Sequence, residues 1–259
     1  MTDLIQVTRD GSIATVVLNR ADKLNAMTKP MWQGLGDAMR ALSADDSPRC
    51  IVVRGAGEKS FSPGNDIAEF ATDRSNKRQA IEYGRIMHAT AQAMIECRHP
   101  LVAQIHGICV GGGLEIASMC DIRICGESSR FGAPIKNLGL VMAYPEMSPL
   151  VRLAGADVAL EILLEGRIFD AREAKDKRLV TRVVPDDQVA AEARAAAERI
   201  AEGAPLAARW HKKFARRLAE GRPLTEAEYD ECFDCFDTED FRIGYSAFLA
   251  KTKPAFVGR

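Results

Sequence analysis

The sequence has almost no net charge and no long hydrophobic run. Lysine and arginine total 35 and aspartate and glutamate total 36, which leaves a formal charge of −1 over 259 residues. Because nucleic-acid phosphates generally need a basic surface, we expect no nucleic-acid partner. No segment approaches the roughly 20 consecutive apolar residues of a membrane-spanning helix, so we expect no membrane partner either.

The cysteines form neither a disulfide framework nor a metal-binding pattern. Seven cysteines, an odd number at irregular spacing, favour a reducing compartment. Cys232 and Cys235 make the only Cys-x-x-Cys pair, and no second pair or nearby histidine completes a zinc site. The start of the chain, residues 1–4, lacks the charged and apolar regions of a signal peptide. We therefore expect a cytoplasmic protein without a metal.

The most informative stretch is Gly111-Gly112-Gly113-Leu114-Glu115, at a predicted strand-to-helix turn. Glycines let the backbone approach a ligand closely, and the first N–H groups of a helix have no partner inside it. A carbonyl placed there would be polarised toward an oxyanion. Glu115 lies about one turn past Gly112, so its carboxylate shares a face with that turn. An amide that stabilises an oxyanion, next to a carboxylate, suits chemistry through an enolate.

Other interpretations of the glycine turn fit the sequence less well. The Gly-x-Gly-x-x-Gly order of a dinucleotide site is absent, and Gly-Lys-Ser/Thr of a P-loop never follows. A purely structural role, in which small residues allow close helix packing, is the remaining alternative. No nicotinamide, flavin or metal motif is present, and we expect no cofactor.

Together with a second segment, Phe61-Ser-Pro-Gly-Asn-Asp-Ile67, the glycine turn resembles the crotonase superfamily, also called the enoyl-CoA hydratase/isomerase family. That family carries a Phe-x-x-Gly-Ala-Asp-Leu/Ile stretch and a Gly-x-x-x-Gly-Gly-Gly-x-Glu stretch. Residues 107–115 match the second stretch completely. The resemblance covers nearly the whole chain, because three further segments match in the family's order: 19–26, 163–185 and 248–256.

Alternating strand-like and helix-like runs predict an α/β fold up to about residue 190. Strand signals then vanish, and helix-like runs follow near residues 190–201, 205–220, 225–236 and 239–250. The resemblance implies a crotonase-like spiral of ββα units. It divides the chain into an acyl-CoA-binding core, residues 1–195, and a C-terminal helical oligomerisation region, residues 196–259. It also implies a homotrimer or a dimer of trimers.

The same resemblance assigns roles at the two motifs. The backbone N–H groups of Asn65 and Gly112 would form an oxyanion hole for the thioester oxygen of an acyl-CoA. Glu115 matches one of the two glutamates that act as acid and base in family hydratases. Asn65 stands where the family usually has alanine. The hole needs only the amide, but the larger side chain is expected to reshape the acyl pocket.

The second glutamate of the hydratases is missing. Residues 131–135 align with the family's Phe-Gly-x-Pro-Glu, which puts Ile135 at the glutamate position. Some family isomerases place an acid further on, near Ala143, and this position is also apolar. Two nearby groups are candidate substitutes: Tyr144 as a proton or hydrogen-bond donor, and Glu146 as a displaced carboxylate. Each also has an ordinary structural interpretation, as a half-buried aromatic and a helix-start acid.

The remaining predicted contacts with the substrate are less specific. Family members meet the CoA nucleotide near Lys23 and Leu24, and a tail lysine, here Lys251, approaches the CoA phosphates. The acyl-CoA site is further expected to include residues beside the two motifs: Gly64, Asp66, Ile67, Gly111 and Ile135.

The leading functional prediction is an enoyl-CoA hydratase-like enzyme with CoA as part of its substrate. Double-bond isomerisation is the first alternative, since one carboxylate can move a proton between two carbons. Decarboxylation or hydrolysis assisted by Tyr144 is another. An acyl-CoA-binding relative without catalytic activity is the alternative from a different class.

Overall fold

The computed structural model describes residues 3–259. Its larger sheet starts from a hairpin whose turn contains Asp10-Gly11, a dipeptide that favours tight hairpin turns. The first two strands are antiparallel, and every later neighbour in this sheet is parallel. In spatial order the six strands are β1 (Ile5–Asp10), β2 (Ile13–Leu18), β3 (Cys50–Gly55), β5 (Leu101–Ile105), β7 (Ile122–Gly126) and β10 (Arg182–Val184).

A smaller sheet places the two sequence motifs next to each other. In spatial order its strands are β4 (Ser60–Ser62), β6 (Ile108–Val110), β8 (Arg130–Gly132) and β9 (Phe169–Asp170). β4 and β6 are parallel neighbours, with Ser60 opposite Ile108. The carboxyl ends of parallel neighbours meet at one edge of a sheet. The loop after Ser62 and the glycine turn after Val110 therefore lie side by side.

Eleven α-helices are found within residues 3–259, and short 3₁₀ turns occupy Ala21–Lys23, Pro134–Leu138, Asp186–Gln188 and Asp234–Asp237. The helices are α1 (Lys29–Ala44), α2 (Glu69–Asp73), α3 (Lys77–Glu96), α4 (Gly112–Met119), α5 (Tyr144–Ala154), α6 (Ala156–Glu165), α7 (Ala171–Asp176), α8 (Val189–Ala201), α9 (Pro205–Leu218), α10 (Glu226–Glu231) and α11 (Glu239–Ala250). No helix in this part of the chain is both long enough and apolar enough to cross a bilayer.

Both faces of the larger sheet are buried at its central parallel strands, as parallel pairing favours. Along β3, Ile51 and Val53 join the main core, which also contains Trp32 of α1 and Met87 of α3. The alternate residues Cys50 and Val52 face the other way and pack with small side chains of α8: Ala193, Ala196 and Ala197. Alanines let the helix backbone lie close to the strands, which explains why this helix is rich in alanine.

Most predicted elements are confirmed, and one needs correction. The predicted helix-like run 225–236 is divided into α10, which ends at Glu231, and a separate 3₁₀ turn. The break brings the Phe236 ring within 4.7 Å of the Phe241 ring in α11, a contact that one straight helix through residue 236 does not provide. The α/β class and the all-helical segment after β10 are confirmed. The predicted boundary at 195 falls inside α8, and the division into two parts stays a prediction.

Candidate active site

Two backbone amides lie together where the β4 and β6 loops meet. Gly64 has φ +97°, and a Cβ added there would lie 2.7 Å from the amide nitrogen of Gly112. A Cβ on Gly112 would lie 3.7 Å from the amide nitrogen of Asn65. The close approach of these loops therefore depends on residues without side chains, and it brings the N–H groups of Asn65 and Gly112 to one place.

Both amides are available for an external acceptor. Gly112 is the first residue of α4, and such an N–H has no acceptor inside its own helix. Asn65 forms a bridge with Met27, but its two hydrogen bonds run from Met27 N to Gly64 O and from Asp66 N to Met27 O, each 2.8 Å. The N–H of Asn65 is thus a donor in neither of the two hydrogen bonds that fix its own loop.

The Asn65 side chain is held by the core. Its Oδ1 accepts a hydrogen bond from the indole Nε1 of Trp32 at 2.6 Å, and its Nδ2 lies 3.9 Å from the sulfur of Met87. Trp32 itself is fully buried in α1. The larger side chain at this position therefore fixes the loop to α1, a role that the sequence prediction of a reshaped pocket did not include.

An ion pair fixes the other end of the same loop. The Asp66 carboxylate accepts hydrogen bonds from the Ala68 N–H at 3.0 Å and from Arg20 Nη1 at 2.7 Å. The Ala68 amide and then Arg20 hold the pKa of Asp66 below its ordinary value. The ionised carboxyl group of Asp66 therefore stabilises the loop.

Glu115 is a buried carboxyl group about one helical turn after Gly112. It belongs to α4 and is only 3% exposed, and its Oε1 finds no hydrogen-bond partner within residues 3–259. Burial raises the pKa of Glu115 well above its ordinary value, and the nearby charge of Glu146 raises it further. The charge of Arg74 acts in the opposite direction. These effects favour the protonated form of the Glu115 carboxyl group.

Glu146 faces the same interior region from the first turn of α5. Its Oε2 accepts a hydrogen bond from the Ala143 N–H at 3.2 Å, and its Oε1 lies 3.4 Å from Nε2 of His88 in α3. The Glu146 side chain is 14% exposed. Tyr144, two residues earlier, is 91% exposed, so it is not the half-buried aromatic of its ordinary structural interpretation, and its role as a proton or hydrogen-bond donor stays a prediction. The start of α5 turns Glu146 inward and leaves Tyr144 outside.

A cleft of about 730 Å³ runs from these loops to the surface. Eight of the predicted site residues line it: Lys23, Leu24, Asn65, Asp66, Ile67, Gly111, Gly112 and Ile135. Gly64 lies directly behind Gly112 and supports the wall. Lys251 is not part of this lining; it ends α11 in the helical C-terminal segment.

Ile135 leaves the expected glutamate position apolar. It lies in the 3₁₀ turn Pro134–Leu138 and contributes to the cleft wall. The carboxyl group whose charge acts on Glu115 comes instead from Glu146, eleven positions later in the chain. Residues 3–259 contain no group of three or more His, Cys, Asp and Glu side chains arranged to hold a metal ion.

The sequence does not indicate the contacts of three further residues of the site. His88 and Arg74 lie in stretches without a motif, and their contacts join segments far apart in the chain: His88 meets Glu146, and the charge of Arg74 acts on Glu115. Trp32 matches the apolar face of α1, which predicts burial but not a hydrogen bond to Asn65. Only the folded chain brings these pairs together.

Comparison with known proteins identifies the family of the chain. Residues 8–259 match the family model described as Enoyl-CoA hydratase/isomerase. The chain is 34% identical to a probable enoyl-CoA hydratase of Rhizobium meliloti over 99% of both proteins. It is 30% identical to the crotonyl-CoA hydratase of Syntrophomonas wolfei, covering 97% of this chain and 96% of that one.

A solved structure is closer still. The crystal structure of an enoyl-CoA hydratase/carnithine racemase from Magnetospirillum magneticum is 52% identical, with a TM-score of 0.98 over 100% of this chain and 97% of that one. The chain belongs to the enoyl-CoA hydratase/isomerase family. The predicted crotonase-like fold and the prediction of an enzyme of this family are confirmed.

Proposed function

We propose that this protein adds water to the double bond of an α,β-unsaturated acyl-CoA, with Glu115 and Glu146 as its acid–base pair. The observation that carries the proposal is a buried carboxyl group, Glu115, that lies within electrostatic reach of Glu146 and belongs to the helix whose first residue supplies one of the two amides. Two carboxyl groups whose surroundings separate their protonation behaviour can supply an acid and a base in one site.

The proposed reaction gives each group a separate role. The amides of Asn65 and Gly112 donate to the thioester oxygen, which gains negative charge as the enolate forms. Glu146 accepts a proton from water as the water oxygen bonds to the β-carbon. Glu115, whose raised pKa favours the protonated acid, gives its proton to the α-carbon. Proton transfer from Glu146 back to Glu115 restores the pair. His88 positions Glu146 through the 3.4 Å contact between their side chains.

The cleft supports an acyl-CoA as the substrate. Its lining is mostly apolar along Ile67, Ile135 and Leu138, and Lys23 stands near its outer end. An apolar cleft with a few polar groups at one end is the usual form of a site for a ligand of this size. The named relatives described above are hydratases of such thioesters.

Double-bond isomerisation is the second candidate. Ile135 makes the usual position of the second glutamate apolar, and isomerisation needs only one carboxyl group to move a proton between the α- and γ-carbons. Glu115 alone would serve that reaction. The exposure of Tyr144 removes the support for decarboxylation or hydrolysis assisted by that residue.

Two substrates separate the candidates. Crotonyl-CoA loses its conjugated absorbance on hydration, and 3-butenoyl-CoA gains that absorbance on isomerisation. We expect the wild-type protein to hydrate crotonyl-CoA, and Glu115→Gln to lower the rate at least about 10²-fold, the usual size of an acid–base contribution. Glu58→Gln, at an exposed loop glutamate, is the matched control. Turnover of 3-butenoyl-CoA without hydration of crotonyl-CoA would replace hydratase by isomerase.

The assembly and location belong to the same proposal. Six large apolar side chains of the C-terminal segment are exposed in the single chain: Phe233, Phe236, Phe241, Tyr245, Phe248 and Leu249. Exposed apolar surface of this extent is typical of an interface between subunits. It supports an assembly of several subunits, which we take to be a trimer or a dimer of trimers in the cytoplasm, with Lys251 reaching the CoA of a neighbouring subunit. Light scattering of the purified protein gives the subunit number.

A further inference from the structure

Arg74 holds a positive charge that its surroundings leave unneutralised. It follows α2, and its guanidinium carbon lies 4.6 Å from the centre of the Phe70 ring and 4.8 Å from the centre of the Tyr83 ring. Its Nε and Nη1 atoms are buried, and neither has a hydrogen-bond partner in the described part of the chain. Buried polar atoms of folded proteins almost always have a partner, so this side chain calls for an explanation.

The nearest acidic residues in the sequence are engaged elsewhere. The Glu69 carboxylate accepts hydrogen bonds from the Lys29 N–H at 2.9 Å and from the Tyr83 hydroxyl at 2.7 Å. Asp73 accepts from the Thr72 hydroxyl at 2.7 Å and lies 3.5 Å from the Lys29 ammonium. Neither Glu69 nor Asp73 therefore forms an ion pair with Arg74.

The guanidinium lies beside the cleft rather than on the outer surface. Phe70, whose ring it stacks on, lines the same cleft as Asn65 and Gly112. The charge of Arg74 also acts on the pKa of Glu115, which places it within electrostatic reach of the proposed acid. A substrate that extends from the two amides along Phe70 would bring the end of its acyl chain close to Arg74.

The aromatic contacts restrict how a ligand can meet this cation. A guanidinium forms strong hydrogen bonds only in its own plane, through the N–H groups at its edges, and two aromatic rings already lie close to that of Arg74. A carboxylate is planar and accepts two such bonds side by side, and this pairing is the preferred one for arginine. The contacts therefore fit a carboxylate better than a neutral carbonyl or an alkyl group.

We propose that Arg74 binds a carboxylate at the far end of the acyl chain. The substrate class is then a CoA monothioester of an unsaturated dicarboxylic acid, and this assignment rests on the proposed hydration of an enoyl-CoA. A different explanation is that Arg74 serves only as a counter-charge to Glu115. The two explanations differ because a counter-charge acts on every substrate alike, whereas a carboxylate-binding residue acts only on substrates that carry the carboxylate.

A matched pair of substrates tests the assignment. Glutaconyl-CoA and 2-pentenoyl-CoA differ only in a carboxylate in place of the terminal methyl. We expect wild-type kcat/KM for glutaconyl-CoA to exceed that for 2-pentenoyl-CoA by at least about tenfold, the size of one charge-assisted hydrogen bond. Arg74→Gln should remove this preference, and Arg74→Lys should keep part of it. Arg78→Gln, at an exposed arginine paired with Glu82, should leave the preference unchanged.

A binding measurement separates this proposal from the proposed reaction. Glutaryl-CoA and valeryl-CoA are the saturated counterparts, and calorimetry gives their dissociation constants without any turnover. If neither unsaturated substrate is hydrated, the proposed function fails, but tighter binding of glutaryl-CoA that depends on Arg74 still supports the role of Arg74. Equal binding of the two by the wild type, or a preference that persists in Arg74→Gln, would overturn it.

Discussion

Trp32 donates its indole N–H to the side-chain oxygen of Asn65 across 2.6 Å. The bond joins a fully buried residue of α1 to the residue whose backbone amide we place in the oxyanion hole. The position of that amide therefore depends on the main core as well as on its own loop. Alanine, the residue usual in the family at position 65, would leave the indole N–H without this acceptor.

Replacing Asn65 by alanine should affect stability more than catalysis. The buried Trp32 N–H loses its acceptor, which should lower the free energy of unfolding by about 1–3 kcal/mol. The backbone amide of residue 65 remains, and we expect kcat to fall less than tenfold. Denaturant unfolding and crotonyl-CoA hydration measure the two effects. Asn137→Ala, at an exposed asparagine of the same cleft, should change neither quantity. A loss of activity without a loss of stability would contradict this account of Asn65.

Gly64 and Gly57 form a natural comparison. Both have positive φ, +97° and +71°, so alanine at either position carries backbone strain of about 1–2 kcal/mol. At position 64 the added methyl would lie 2.7 Å from the Gly112 nitrogen, whereas at position 57 no atom within residues 3–259 lies within 4 Å. Gly64→Ala should therefore lower kcat about 10²-fold or more by blocking one oxyanion donor. Gly57→Ala should keep its activity, and equal losses in both variants would show that strain alone is responsible.

The buried Glu115 should make the protein less stable as pH rises. Its folded-state pKa is raised above the ordinary 4.5, so the folded state binds more protons than the unfolded state above that pH. Stability then falls as pH rises from about 4.5 through the raised pKa. Glu115→Gln should remove this contribution and unfold at a higher temperature than wild type at pH 8, with little difference at pH 4. If the difference in melting temperature between the two proteins is the same at every pH, Glu115 has an ordinary pKa in the folded state.

The sequence alone predicts those parts of the site that lie within single short segments of the chain. The glycine turn lies between a strand and a helix within fifteen residues, and the Phe61 segment follows another strand, so local pattern indicates both loops. Their meeting follows from the parallel pairing of β4 and β6. The family resemblance then indicated Asn65, Gly112 and Glu115 as neighbours: Asn65 and Gly112 line one cleft, and Glu115 is buried about one helical turn after Gly112.

The remaining groups depend on long-range packing. In the sequence, nothing distinguishes Arg74 from an ordinary surface arginine. Its contacts with the rings of Phe70 and Tyr83 are seen only in the folded chain. Glu146 was one of two candidates, and sequence alone could not tell which of Tyr144 and Glu146 faces inward. That choice depends on how the first turn of α5 lies against His88 of α3.

The most direct test of the two-carboxyl site is the rate of crotonyl-CoA hydration by Glu146→Gln. Glutamine keeps an oxygen that can accept the Ala143 N–H, so the start of α5 should be preserved. We predict a fall in kcat of about 10²-fold or more, because the base that activates water is lost. The pH dependence of the remaining activity should shift to lower pH, since the charge of Glu146 no longer raises the pKa of Glu115. Tyr144→Phe, at the exposed neighbour, should retain the wild-type rate. A wild-type rate for Glu146→Gln would contradict the assignment of Glu146 as the second carboxyl group.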